Sequence, residues 1–140
     1  MDRCRKSLSS IGNKMTEEIK HRVHPNGSQE WRLNGLKHRL DGPAFIDSDG
    51  YQKWYQNGLC HRVDGPAVIW ADGTEFWLQN GKFHRLDGPA IIDADGGQTW
   101  YVNDIDVTEQ IKEIIEDFSI NSDYNQWTDA EKVLVQLAIR

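Results

Sequence analysis

The chain has 140 residues, 38% apolar and 27% charged, an ordinary composition for one soluble domain, and nothing in it reads as a membrane span. Its net charge of −6 is unevenly placed: residues 1–20 carry five basic and three acidic side chains, 21–103 eight and ten, and 104–140 three and nine. An acidic balance concentrated at the C-terminal end gives no general attraction for nucleic-acid phosphates or anionic lipid, so neither nucleic acid nor membrane is an expected partner.

Residues 1–19 read as a flexible leader, rich in serine and basic residues and without an amphipathic period. The basic start resembles that of a secretion signal, but residues 7–15 bring no apolar run, so secretion is not expected. Cys4 and Cys60 are too few for a disulfide framework, and the expected compartment is a reducing cytoplasm.

Residues 20–103 are repetitive. The phrase His38-Arg39-Leu40-Asp41-Gly42-Pro43-Ala44 returns 23 residues later as His61-Arg62-Val63-Asp64-Gly65-Pro66-Ala67, and 23 later again as His84-Arg85-Leu86-Asp87-Gly88-Pro89-Ala90. Trp31, Trp54, Trp77 and Trp100 form a column of the same period, as do Gly27, Gly50, Gly73 and Gly96, and Asn34, Asn57, Asn80 and Asn103. A degenerate half-repeat precedes them: residues 20–24 take the place of 43–47, so His21 is not a copy of the repeated histidine. Each full unit is punctuated by an Asp-Gly and an Asn-Gly turn, read as tight hairpin turns with positive φ at both central residues. Six-residue runs rich in Trp, Phe, Tyr and Leu lie between the turns and read as strands. The expected fold is therefore mainly β with C-terminal α: a single antiparallel sheet of stacked 23-residue β-hairpin repeats, capped by two short helices.

If the phrase is a strand, parity sends His61, Val63, Gly65, Ala67 and Ile69 to one face and Arg62, Asp64, Pro66, Val68 and Trp70 to the other. The first face leaves room over Gly65 and Ala67 for the Trp column. The second carries Arg–Asp pairs at i, i+2. Beyond Asn103, residues 104–140 read as a two-helix cap. Asp106 with Glu109, and Thr128 with Glu131, have capping-box spacing. Val107, Ile111, Ile114, Ile115 and Phe118 make the apolar stripe of the first helix. Ala130, Val133, Leu134, Leu137 and Ala138 make that of the second, widened by Val135 and Ile139.

A unit written aromatic-x-x-Asn-Gly-x-x-His-x-x-Gly, as in residues 77–88, resembles the MORN repeat, with Arg62, Asp64 and Pro66 standing where that family more usually has His-Gly and a second Gly. Units of the His-Arg-x-Asp-Gly-Pro-Ala form resemble those of small phage and bacterial repeat proteins. The resemblance implies an interaction scaffold, and for a phage-type protein an inhibitor or adaptor acting on a host or defence protein.

Chemical readings of the phrase are weaker. His38-Arg39-Leu40-Asp41 differs in spacing from the catalytic loop of protein kinases, and no Gly-rich phosphate loop accompanies it. Three equivalent copies argue for architecture over a single catalytic centre, so the chain reads as no enzyme. Equivalent histidines lie two strands apart, about 9–10 Å, too far to share one zinc ion, so no metal or cofactor is expected. The histidines read as turn or ladder hydrogen-bonding groups.

The candidate binding surface is sought where the repeat is broken. Trp70 stands where Asp47 and Asp93 stand in the neighbouring units. Parity groups it with Val68, Phe45 and Ile91 and rings it with Arg39, Arg62 and Arg85, the composition of an interface hot spot. The competing expectation is that Ile111, Ile114 and Phe118 fold back and bury this patch. A second function remains open, a nucleotide-type small-ligand binder using the repeated arginines and aromatics, as does a homo-oligomer formed through the C-terminal helices.

Overall fold

The computed structural model describes residues 18–140, so the leader expectation falls, but for its last two residues, outside the described residues. The described chain is mainly β with two C-terminal helices. Strand β1 (Lys20–Val23) leads into β2 (Gln29–Leu33) and β3 (Leu36–Lys37), followed by β4 (Phe45–Ile46), β5 (Gln52–Lys53), β6 (Tyr55–Gln56) and β7 (Leu59–Cys60). The next unit supplies β8 (Val68–Ile69), β9 (Glu75–Phe76), β10 (Leu78–Gln79) and β11 (Lys82–Phe83). The last supplies β12 (Ile91–Ile92), β13 (Gln98–Thr99), β14 (Tyr101–Val102) and β15 (Ile105–Asp106). The main antiparallel sheet runs β13-β12-β9-β8-β5-β4-β2-β1 with β3 added to β2, and the pairs β6-β7, β10-β11 and β14-β15 form three short hairpins.

The six-residue runs are thus shorter strands than expected, because the chain changes partners at tryptophan. Trp54 N–H donates to Ala67 O at 2.7 Å, on the long return, while Trp54 O accepts from His61 N–H at 3.1 Å, on the short hairpin. Trp77 divides its run in the same way, bonding Ala90 O and His84 N–H. Successive short hairpins are then tied to one another. Gly58 N–H donates to Lys37 O at 2.9 Å and Arg39 N–H to Tyr55 O at 3.1 Å, and the next unit repeats both bonds.

The two turn types differ. At Asn57-Gly58 φ is 50° and 83°, positive at both residues, and Asn34-Gly35 and Asn80-Gly81 match it. At the Asp-Gly turns only the glycine is left-handed, Gly50 at 93° and Gly73 at 96°. There Gly50 N–H donates to Asp47 O while Asp47 N–H donates to Tyr51 O, a three-residue turn closed by a glycine bulge. The fourth hairpin closes at Asn103 and Asp104, φ 50° and 69°, so the repeats run to Asp106 rather than ending at Asn103. Aspartate is tolerated at the left-handed position, and its Oδ1 accepts Phe83 N–H at 2.8 Å.

Parity fails in the phrase itself, since residues 61–67 are an irregular loop. Pro66 has no N–H for a ladder, and the arginine organises the loop instead. Arg62 Nε donates to Asp64 Oδ1 and Nη1 to Pro66 O, both at 3.1 Å, and Arg39 and Arg85 make the same pairs. The Arg–Asp pairing at i, i+2 therefore stands, but it belongs to a loop wrapped around a guanidinium.

The cap is α1 (Thr108–Asp117), a short 3-10 turn (Tyr124–Gln126) and α2 (Asp129–Ile139). Thr128 and Glu131 form the expected capping box. Asp106 accepts Thr108 N–H at 2.9 Å, while Glu109 pairs with Lys112, so the first box is not made. Val107 and Ile111 are buried and Phe118 is 60% exposed. In α2 the buried side is Val135 and Ile139; Val133 and Leu137, expected to line it, are 54% and 65% exposed. The cap is held from Trp100, which selects the α2 face centred on Val135. Trp100, Val107, Ile111, Ile120, Trp127, Val135 and Ile139 form one cluster, with Leu86 packed against it.

Candidate functional site

The sheet has one strictly repeated side and one that changes from unit to unit. On the repeated side the guanidinia of Arg39, Arg62 and Arg85 stack on Trp31, Trp54 and Trp77, with Cζ 3.9, 4.1 and 3.6 Å from the ring centroids. A Cβ at Gly65 or Gly88 would stand 2.6 Å from that Cζ, and at Gly42 3.0 Å. Glycine is required there because the guanidinium fills the space between the loop and the tryptophan. The Trp still lies over alanine, as Ala44, Ala67 and Ala90 are fully buried. The histidines join units: His38, His61 and His84 accept, through Nδ1, the N–H of Asn57, Asn80 and Asn103 at 3.0, 3.0 and 3.2 Å. His21 is different, its ring stacked on Trp31 at 4.3 Å.

The stack ends where the arginine column does. Thr108 occupies that place in the fourth unit and spends its hydroxyl accepting Trp100 N–H at 2.9 Å. Trp127 from the cap lies against the Trp100 ring at 5.5 Å, with planes 19° apart.

On the other side the register aligns one residue from each strand in a single row: Arg22, Glu30, Phe45, Lys53, Val68, Phe76, Ile91 and Thr99. Alternation of side chains along each strand places this row opposite the Trp column. Flanking it, aromatic rings form a chain. Phe45 meets Tyr51 at 6.2 Å, Tyr51 meets Trp70 at 4.5 Å, and Trp70 meets Phe76 at 5.9 Å; Phe76 and Phe83, then Phe83 and Tyr101, follow at 5.4 Å. Trp70 is the outermost, 40% exposed, and the other rings are half-buried. Lys37 lies over Phe45 and Tyr55, and Lys53 over Tyr51 and Tyr55, at 5.4 to 5.9 Å.

At the β1 end the row becomes ionic. Glu30 is buried and bonded by Arg32 at 3.2 and 3.3 Å, with His24 at 3.6 Å and Lys37 at 4.0 Å. The Arg32 hydrogen bonds hold its carboxyl below the usual carboxylate range, outweighing the opposing effect of burial, and the charges of Arg32, Lys37 and His24 add to the lowering.

Of the residues expected to form the surface, Phe45, Val68, Ile91 and Trp70 are brought together. Val68 is 3% exposed and lies within the face. Arg39, Arg62 and Arg85 are not part of it: once the phrase is a loop, the guanidinia turn to the Trp column. The expectation that the α1 stripe buries the patch is also overturned, because Ile111 packs with Trp100 at the far end. Tyr51, Phe76, Phe83 and Tyr101 escaped the sequence reading. The signal was present: Tyr51, Phe76 and Phe83 are each the lone aromatic of a 23-residue column, and Tyr101 shares its column with Tyr55.

Among the described residues no helix is long and apolar enough to cross a membrane. No protein-family model, curated protein or solved structure matched the chain.

Proposed function

We propose that this is a non-enzymatic protein-binding module, with its docking surface on the variable side of the sheet around Trp70. The observation that carries this reading is the uncovered aromatic chain from Phe45 to Tyr101: half-exposed rings on a stiff sheet, centred on a tryptophan at a repeat-breaking position, have the make-up of an interface hot spot. Rigid aromatics lose little conformational entropy on binding, and the hairpin stack holds them in place. The nucleotide-sponge alternative is not supported, since each repeated guanidinium is already engaged by a tryptophan, an aspartate and a proline carbonyl. The MORN-type resemblance supports a scaffold role. Its phage-like variant makes a host or defence protein in a reducing cytoplasm the partner to seek, and the free thiol of Cys60 on this face suits that compartment.

The test is quantitative capture from the candidate host with the wild-type chain and Trp70→Ala. A specific partner should be retained by the wild type and lost by the variant, a weakening of about 2 kcal/mol or more, with folding preserved. A partner held equally by both would place the interface elsewhere.

A further inference from the structure

The repeated side of the sheet carries a groove at two equivalent places, and the protein fills the one beside Trp100 with its own chain. That groove lies between Arg85 and Leu86 on one side and Trp100 on the other. Tyr124 enters it, 5.5 Å from the Arg85 guanidinium and edge-on to Trp100 at 6.2 Å, and Leu86 is packed against the cap cluster. Two units earlier the equivalent groove is open, lined by Arg39, Leu40, Trp54, Gln56, Arg62 and Val63. Its apolar walls stand in solvent, Leu40 75% and Val63 66% exposed.

We infer that this open groove is a second docking site, which takes an uncharged aromatic ring presented on a tight turn of a partner protein. The filled copy identifies the chemistry. The turn that enters it organises itself: Asp123 Oδ1 accepts Asn125 N–H at 3.0 Å, and the Trp127 indole N–H donates to Asn121 O at 2.6 Å, so its rings are held outward by local bonds. Charge points the same way. The carboxylates at the open groove, Asp41 and Asp64, are already paired with Arg39 and Arg62 at 2.9 and 3.1 Å, leaving paired charge beside apolar walls, an environment for a neutral occupant. The two copies differ at the wall formed by residues 62 and 63, where the filled copy has Thr108 and Glu109. Arg62 stacks on Trp54 where Trp127 lies against Trp100, so the open groove has room for the ring corresponding to Tyr124 over Arg39 and Leu40.

The probe is the octapeptide of residues 121–128, titrated to about millimolar concentration into the full-length, isotopically labelled chain, with amide resonances as the readout. Saturable shifts are expected at residues 39–42 and 61–64, and none with a peptide in which both aromatics are alanine. Leu40→Asp, at a site with no packing to lose, should abolish the shifts without moving the melting temperature, while Trp70→Ala should leave them unchanged, which separates this site from the opposite face. Shifts absent, shifts confined to the neighbourhood of Trp100, or shifts that persist in Leu40→Asp would overturn the inference. A concentration-dependent dimer dissolved by Leu40→Asp would overturn it in favour of a second copy as the occupant.

Discussion

On one side of this sheet Trp31, Trp54 and Trp77 each carry an arginine at closely similar distance, with the same two bonds to aspartate and proline. On the other, the cross-strand row changes chemistry at almost every step, from Arg22 and Glu30 through Phe45, Lys53 and Val68 to Phe76, Ile91 and Thr99. The difference separates two demands on one backbone. Joining unit to unit needs the same contacts each time, so the residues that do it recur. The row facing away from those joints is freed from that demand, and side chains there can vary to suit something else. The cap marks the limit of the first demand, because Trp127 meets the Trp100 ring where the arginine column has run out.

The largest effect should therefore come from the point where the repeated side ends. Trp127→Ala removes a 5% exposed ring from the cap cluster and should destabilise the chain by about 3–5 kcal/mol in chemical denaturation. A loss under about 1 kcal/mol would mean that the cap does not terminate the stack. Next come the glycines of the phrase. Gly65→Val and Gly88→Val should each cost about 1–3 kcal/mol, since the flexible guanidinium can move aside only by giving up its tryptophan and its hydrogen bonds. Gly42→Val, whose Cβ has more room, should cost less. Unequal losses at Gly65 and Gly88 would break the equivalence of the copies.

The ionic end of the variable row has a pH signature. The Glu30 carboxyl is held below its ordinary value of 4.5, so it contributes stability that is present above that value and is lost as pH falls through the lowered one. Glu30→Gln should flatten the acid limb of stability against pH, and an unchanged limb would show that the Arg32 bond does not matter to the fold. The smallest stability change should be at Trp70. Losing a ring that is 40% exposed should cost less than about 1 kcal/mol, well under a buried aromatic, and so keep its loss of binding readable.

Much of this architecture is legible in the residues alone. The 23-residue period, the Asn-Gly turns, the Thr128–Glu131 box and the break at Trp70 rest on local geometry: a left-handed φ, a side chain reaching three residues on, a column that stops matching. What parity could not deliver was the course of residues 61–67. Alternation presumes an extended chain, and there Arg62 bonds forward to Asp64 and Pro66 and bends the loop around itself. That one bend moves the arginines from the Trp70 side to the Trp column. The buried face of α2 was likewise decided from outside. Val133 and Leu137 are as apolar as Val135 and Ile139, and only the position of Trp100 and Trp127 settles which pair is covered. Short-range rules specified the unit, while the identity of each side's occupants depended on contacts between residues far apart in the chain, where apolar character alone names no partner.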